Sequence, residues 1–149
     1  MSGRAHASIY KPIHPEKYLG DPTRIICRSS WERKFCHWCD TRPGIVKWAS
    51  EEFHVPYLKP TDGLVHRYFP DFRIDVQAND GTVKTFVIEI KPKHQAVPPV
   101  TRSRKTKKYL MEMSTFAVNQ AKWHAAREYC QKRNWTFMVI TEDHLFGGL

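Results

Sequence analysis

Apolar positions recur along this chain with two different periods, and the switches between them outline one α/β domain. Residues 1–28 are irregular and polar, with Pro12, Pro15, Gly20 and Pro22; they read as an N-terminal arm or wrapping segment, docked through Tyr10, Tyr18, Ile25 and Ile26. In the next stretch Trp31, Phe35 and Trp38 fall at i, i+4 and i+7, which predicts a short helix over 31–40. Ser29 or Ser30 supplies its N-cap, and Pro43-Gly44 ends it. Val46, Trp48, Phe53, Val55 and Tyr57 predict a strand over 45–58, interrupted by Ala49-Ser50-Glu51-Glu52. After a turn at 59–63, Phe72, Ile74 and Val76 alternate with charged and polar residues in a second strand, over 65–77. Asn79-Asp80-Gly81 is a hairpin signal, and a third strand follows over 83–91. Met113, Ala117, Ala121, Ala125 and Tyr129 recur at i+4 and predict a helix near 109–133. The nearly all-apolar run 135–141 is a last strand, covered on both faces. The predicted order is helix, three strands, helix, strand, all within a single domain over 29–149.

Composition narrows the class. A chain of 149 residues fits one domain and one core, so it needs neither disulfides nor a structural metal to fold. The net charge is +9, which makes a polyanion the default partner. No apolar run approaches the ~20 residues of a membrane span, and Met-Ser-Gly-Arg-Ala-His has no apolar signal core. The expectation is a soluble protein of the cytosol or of a particle. Cys36 and Cys39 have CxxC spacing, but no second pair and no HxxxH spacing completes a zinc site. All four cysteines are expected reduced, with no structural zinc.

The chemistry concentrates on one hairpin. Phe69-Pro70-Asp71-Phe72 opens the second strand and Glu89-Ile90-Lys91 closes the third. A register symmetric about residue 80 sets Asp71 opposite Glu89, so the two carboxylates converge at one end of the sheet. Strand alternation puts Lys91 on the same face as Glu89. Mg²⁺ favours one or two carboxylates together with water and phosphate oxygens. Asp71, Glu89 and the Ile90 backbone carbonyl form such a ligand set, with Lys91 beside a developing negative charge. An ExK tripeptide or a Pro-Asp pair alone is a weak signal; their joint spacing and element order carry the weight.

Asp71 followed by Glu89-Ile90-Lys91 resembles the PD-(D/E)xK nuclease superfamily, and Asn119-Gln120-Ala121-Lys122-Trp123 resembles the helix motif of its TnsA-like branch. The resemblance implies a restriction-endonuclease-like core with a mixed central sheet flanked by helices, and a Mg²⁺-dependent endonuclease activity in which Mn²⁺ substitutes. It also implies a catalytic and metal-facing role for Glu32 on the first helix; a carboxylate favoured in a first helical turn is the plainer reading. Gln120, as a supporting polar residue, and Lys122, as a DNA-binding residue, are both candidates, yet two residues apart on a helix they do not share a face. Tyr18-Leu19-Gly20-Asp21-Pro22-Thr23, running into Arg28-Ser29-Ser30-Trp31-Glu32, resembles the head completion proteins of T4-like phages. That likeness implies processing of packaged DNA, phage head, portal or neck proteins as partners, and a place in the host cytoplasm or the virion. A transposon-end nuclease, a junction resolvase and a non-cutting DNA plug remain as alternatives.

Seven basic residues and no acid lie between 91 and 108 (Lys91, Lys93, Arg102, Arg104, Lys105, Lys107 and Lys108). Pro92, Pro98 and Pro99 argue for an extended loop over 92–107 rather than a helix. Because it leaves the end of the strand carrying Glu89, it reads as a clamp on the backbone of double-stranded DNA, positioning without reading sequence. No amphipathic basic helix accompanies it, which disfavours a membrane surface. Monomer and dimer are both compatible with the sequence.

Overall fold

The computed structural model describes residues 7–147, with side chains to residue 145, so residues 1–6 of the expected arm lie outside the described residues. The elements run β1 (Ser8–Tyr10), β2 (Ile25–Cys27), α1 (Ser30–Thr41), β3 (Ile45–Ser50), β4 (Val55–Leu58), β5 (Val65–Tyr68), β6 (Phe72–Gln77), β7 (Val83–Ile90), α2 (Lys107–Gln131), β8 (Thr136–Ile140) and α3 (Glu142–Gly147). A mixed four-stranded sheet in the order β3-β6-β7-β8 forms the centre. Its first two pairings are antiparallel and the last is parallel, with α2 as the crossover between β7 and β8.

Each face of this sheet has its own core. Phe72, Ile74, Ile88, Ile90 and Ile140 pack with Phe35, Cys36 and Cys39 of α1. On the opposite face Phe137 and Val139 join Trp123 and Ala126 of α2. The alternation in β6 and β8 therefore sorts side chains between two helical layers. Gly81, at φ +88°, closes the β6–β7 turn, and the Ala78 amide donates to the Thr82 carbonyl at 2.8 Å. The register predicted for this hairpin holds: Phe72 pairs with Ile88 and Gln77 with Val83.

Several expectations change, among them a last strand covered on both faces: Met138 of β8 is exposed. The predicted strand over 45–58 is two strands in different sheets: β3 stops at Ser50, Glu51 takes a left-handed backbone (φ 52°), and β4 pairs with β5 in a separate hairpin. The strand predicted over 65–77 breaks likewise, at Phe69-Pro70, into β5 and β6. The buried stripe on α2 is Asn119, Trp123, Ala126 and Cys130; Ala121, Ala125 and Tyr129 of the i+4 ladder pack partly buried beside it, while Met113 and Ala117 are exposed. An i+4 ladder walks about 40° around a helix at each step, so it cannot hold one face over four turns. The basic segment contains a short 3-10 turn at Lys93–Gln95, and Lys107 already belongs to α2.

The N-terminal segment is bound into the core. β1 pairs with β2, and Tyr10, Tyr18 and Ile25 are buried, whereas Ile26 is exposed. Asp40 near the end of α1 is fully buried and holds this segment: it accepts from the Tyr10 hydroxyl at 2.7 Å and from the Ile13 and His14 amides at 2.7 and 2.9 Å. Lys17 Nζ donates to the Cys39, Asp40 and Arg42 carbonyls, satisfying the open C-terminus of α1. Cys27, Cys36, Cys39 and Cys130 are buried free thiols.

Candidate active site

The β6–β7 hairpin does what its register requires. Asp71 lies one residue before the Phe72–Ile88 pair and Glu89 one residue after it, so the two carboxylates are cross-strand neighbours. Pro70 is fully buried immediately before Asp71. Asp71 Oδ2 accepts from the Ile90 amide at 2.8 Å, and the Asp71 carbonyl accepts from the Glu51 amide at 3.1 Å. Lys91 is fixed from the other side of its strand, its amide donating to the Ile140 carbonyl at 2.9 Å. Its Nζ stands 3.6 Å from Glu89 Oε2.

Glu89 is only 6% exposed. Its Oε1 accepts a 2.6 Å hydrogen bond from the hydroxyl of buried Tyr68, at the end of β5. Burial pushes the Glu89 carboxyl up, and the Tyr68 hydroxyl, Lys91 and Lys122 oppose that push. Asp71 is held well above the ordinary carboxylate range, first by burial and then by the charge of Glu89. The charge of Glu89 thus raises the cost of ionising the carboxyl beside it.

Glu32 does two things. It closes the start of α1 with Ser29: the Glu32 amide donates to the N-cap Ser29 Oγ at 3.2 Å, and Glu32 Oε1 accepts at 3.2 Å from the amide of Arg28, one residue before the cap. Its carboxyl is raised by burial and by the nearby charges of Glu51 and Glu89, so it belongs to the same acidic cluster. Glu51 is the member that sequence reasoning missed. It sits at the left-handed turn where β3 ends, and its Oε2 meets Arg28 Nε at 3.1 Å. The break in alternation at 49–52 was the available signal, since a charged residue at a strand end is placed by the turn rather than by the sheet.

Lys122 points to the site and Gln120 does not join it. Lys122 Nζ lies 5.7 and 5.9 Å from the ring centres of Tyr68 and Tyr57. Burial and the neighbouring Lys91 lower its pKa, against the pull of Glu89. The Gln120 side chain is half-buried and makes no hydrogen bond among the described residues. The β4–β5 hairpin, absent from the sequence reading, builds this wall by delivering Tyr57 and Tyr68. Among the basic residues, Lys93 is engaged with Asp143 at 3.2 Å and Lys105 lies over the Tyr109 ring at 5.6 Å, while Arg102 and Arg104 are exposed. Lys107 and Lys108 open α2.

Among the described residues, no group of three or more His, Cys, Asp or Glu side chains is gathered closely enough to hold a metal by itself. The donor set nevertheless suits a hard divalent ion. Such ions take one or two carboxylates and complete their shell with water and substrate oxygens. Half-buried Asp71 and buried Glu89 are oxygen donors side by side, and a cation would offset the charge of Glu89 that raises Asp71.

No solved structure matches the chain. A head completion nuclease of Enterobacteria phage T4 is 38% identical over 145 residues, spanning 95% of this chain and 94% of that protein. The sequence model of the TnsA-like endonuclease N-terminal family matches residues 42–142, from just before β3 into α3 and including Asp71, Glu89, Lys91 and Lys122. That match covers the sheet and both strands that carry the acidic pair, although α1 with Glu32 precedes it. The chain belongs to the TnsA-like endonuclease N-terminal family, whose members have the restriction-endonuclease-like mixed α/β architecture described above.

Proposed function

We propose that the protein is a metal-dependent DNA endonuclease that processes the packaged DNA end when a phage head is completed. The observation that carries this reading is the cross-strand pair of half-buried Asp71 and buried Glu89, with Lys91 Nζ 3.6 Å from Glu89. The head-completion role rests on the name of the phage T4 relative.

Asp71, Glu89 and the Ile90 carbonyl would hold Mg²⁺ or Mn²⁺, with Glu32 facing the same space. The ion, when bound, supplies Lewis-acid polarisation of the scissile phosphate and a more acidic water. The rest is the work of the chain. The Ile90 amide fixes the Asp71 carboxylate, and the Tyr68 hydroxyl fixes that of Glu89 and favours its ionised form. Lys91 places a positive charge where the pentavalent phosphate accumulates negative charge. Lys122, half-buried against two tyrosines, adds a second cation from the α2 side. The basic segment that follows Lys91 neutralises flanking phosphates and makes binding steeply salt-dependent without base specificity.

The test is nicking of supercoiled plasmid by purified protein with Mg²⁺ or Mn²⁺, beside Asp71→Asn. Metal-dependent nicking that the variant lacks, with DNA binding retained, is the expected result. An equal, metal-independent background from both proteins refutes the enzyme, and binding without cutting by the unaltered protein points to a DNA plug.

A further inference from the structure

A cavity of about 580 Å³ lies between the basic segment and the start of α2. Nothing in the proposed hydrolysis uses it. Its walls are largely apolar, with Val97, Met111 and Phe116 facing the space. Val97 and Met111 are 49% and 62% exposed, so this apolar surface stands open to solvent. Asn119 also lines it. That residue is 6% exposed, and its side-chain amide makes no hydrogen bond among the described residues. Its amide nitrogen and oxygen are not sealed in the core but keep access to the cavity, so their donors and acceptor are open to a ligand there. Lys107 and Lys108 bring positive charge to the same cavity, and Glu112 adds an acceptor.

Two connections tie this cavity to the acidic pair. His94, on its wall, is three residues from Lys91, at most about 10 Å along the chain. Asn119 and Lys122 are i and i+3 on α2, about 4.5 Å apart along the helix axis. The cavity wall and the acidic pair are thus joined through adjacent turns of α2 and three residues of backbone.

We propose that the cavity takes one unpaired nucleobase of the substrate DNA, adjacent to the phosphate at the Asp71–Glu89 site. The pocket exceeds what one base needs and accommodates a base with its sugar. Phe116 and Met111 offer the apolar and aromatic surface on which a base rests, tolerant of base identity. The Asn119 amide carries a donor and an acceptor side by side, the pattern that pairs with a base edge. The two lysines suit the flanking phosphates. A base inside an intact duplex cannot reach such a cavity, whereas a base already unpaired enters at least cost. The preferred substrate is then a strand end, flap or junction with an unpaired nucleotide, rather than continuous duplex. This inference rests on DNA being the substrate.

The test is a binding measurement in EDTA, where no cutting occurs. The probes are a duplex with a short single-stranded overhang containing 2-aminopurine and a blunt duplex containing it paired. Tighter binding of the overhang, with a change in 2-aminopurine emission that the blunt duplex lacks, is expected. Asn119→Leu should weaken overhang binding about tenfold or more and leave blunt binding unchanged. Phe116→Ala, at a half-buried position, should act in the same direction and serves if Asn119→Leu fails to fold. Equal affinity and unchanged emission for both probes with the unaltered protein overturns the proposal. So does binding of free dAMP as tight as that of the overhang, which would make the cavity a mononucleotide site. Because EDTA binding is independent of cleavage, a protein that never nicks plasmid refutes the enzyme while this result stands on its own.

Discussion

Replacing Tyr68 by Phe removes one oxygen and little else. The ring remains in its buried cluster and keeps its contact with Lys122, but the 2.6 Å donation to Glu89 Oε1 is gone. A hydrogen bond to a charged group contributes about 1.5–3 kcal/mol, and Glu89, at 6% exposure, has little water to replace it. At about 1.4 kcal/mol per factor of ten, the expected loss is about 10–100-fold in kcat/KM at neutral pH, the range found for groups that orient metal-facing ligands. The sign of the pH effect follows from the direction of the shift. Burial already raises the Glu89 carboxyl and the Tyr68 hydroxyl works against it. Without that hydroxyl the carboxyl rises further, so a smaller fraction is ionised at any given pH. The acid limb of the rate profile moves to higher pH, and the deficit narrows as the solution becomes alkaline. Single-turnover plasmid nicking across the pH range, with a Mg²⁺ titration at each pH, measures both effects, while circular dichroism melting checks the fold. A Tyr68→Phe protein that melts normally and keeps the wild-type rate and Mg²⁺ requirement at every pH would refute the assignment of Glu89.

The same electrostatics predict that the site costs stability. Asp71 has a raised folded-state pKa, so its stabilising contribution is present below the unfolded carboxyl pKa of about 3.9 and is lost as pH rises through the folded value. In EDTA at neutral pH, Asp71→Asn should melt above the wild type in a thermal scan, with the gap closing as pH falls; an equal or lower Tm contradicts the repulsion. Asp40 has the opposite sign. Burial alone would raise it, but hydrogen bonds from Tyr10, Ile13 and His14 outweigh burial and hold it low, so its contribution is present above the unfolded pKa and lost as pH falls through the folded one. An Asn there has one acceptor for three donors on two oxygens and leaves at least one amide of Ile13 or His14 unpaired. That costs about 1–3 kcal/mol, and at about 2–4 °C per kcal/mol the melt at neutral pH should fall by several degrees.

The acidic pair was legible because a short turn fixes hairpin register: Asn79-Asp80-Gly81 sets the symmetry point, and from it the meeting of residues 71 and 89 follows. The helix over 31–40 was legible because Trp31, Phe35 and Trp38 mark one face and Ser29 supplies a local cap. What the sequence hid lies where chain direction changes without a strong turn signal. Glu51 adopts a left-handed backbone that its residue type does not advertise, and the β4–β5 hairpin was absorbed into two overlong strands as a result. Pro70 was the one plain warning, because a proline inside an apparent strand breaks its ladder. Tyr68 could not be read as a partner of Glu89 without that hairpin. The choice between Gln120 and Lys122 turned on helix phase, which the small alanines of α2 blur until Trp123 and Ala126 are seen against the sheet.

The amide of Lys91 is held by the carbonyl of Ile140, in a parallel pairing that cannot form until all of α2 has been threaded back beside β7. Parallel strands joined by a long crossover are late events in folding, because the loop must close before the contact rewards it. The backbone of the lysine at the proposed site is therefore held by a strand that follows the whole of α2. During synthesis, a ribosome-bound chain carries both carboxylates long before it carries the strand that fixes their lysine. A chain cut short before β8 would therefore present both carboxylates without the strand that holds the Lys91 backbone.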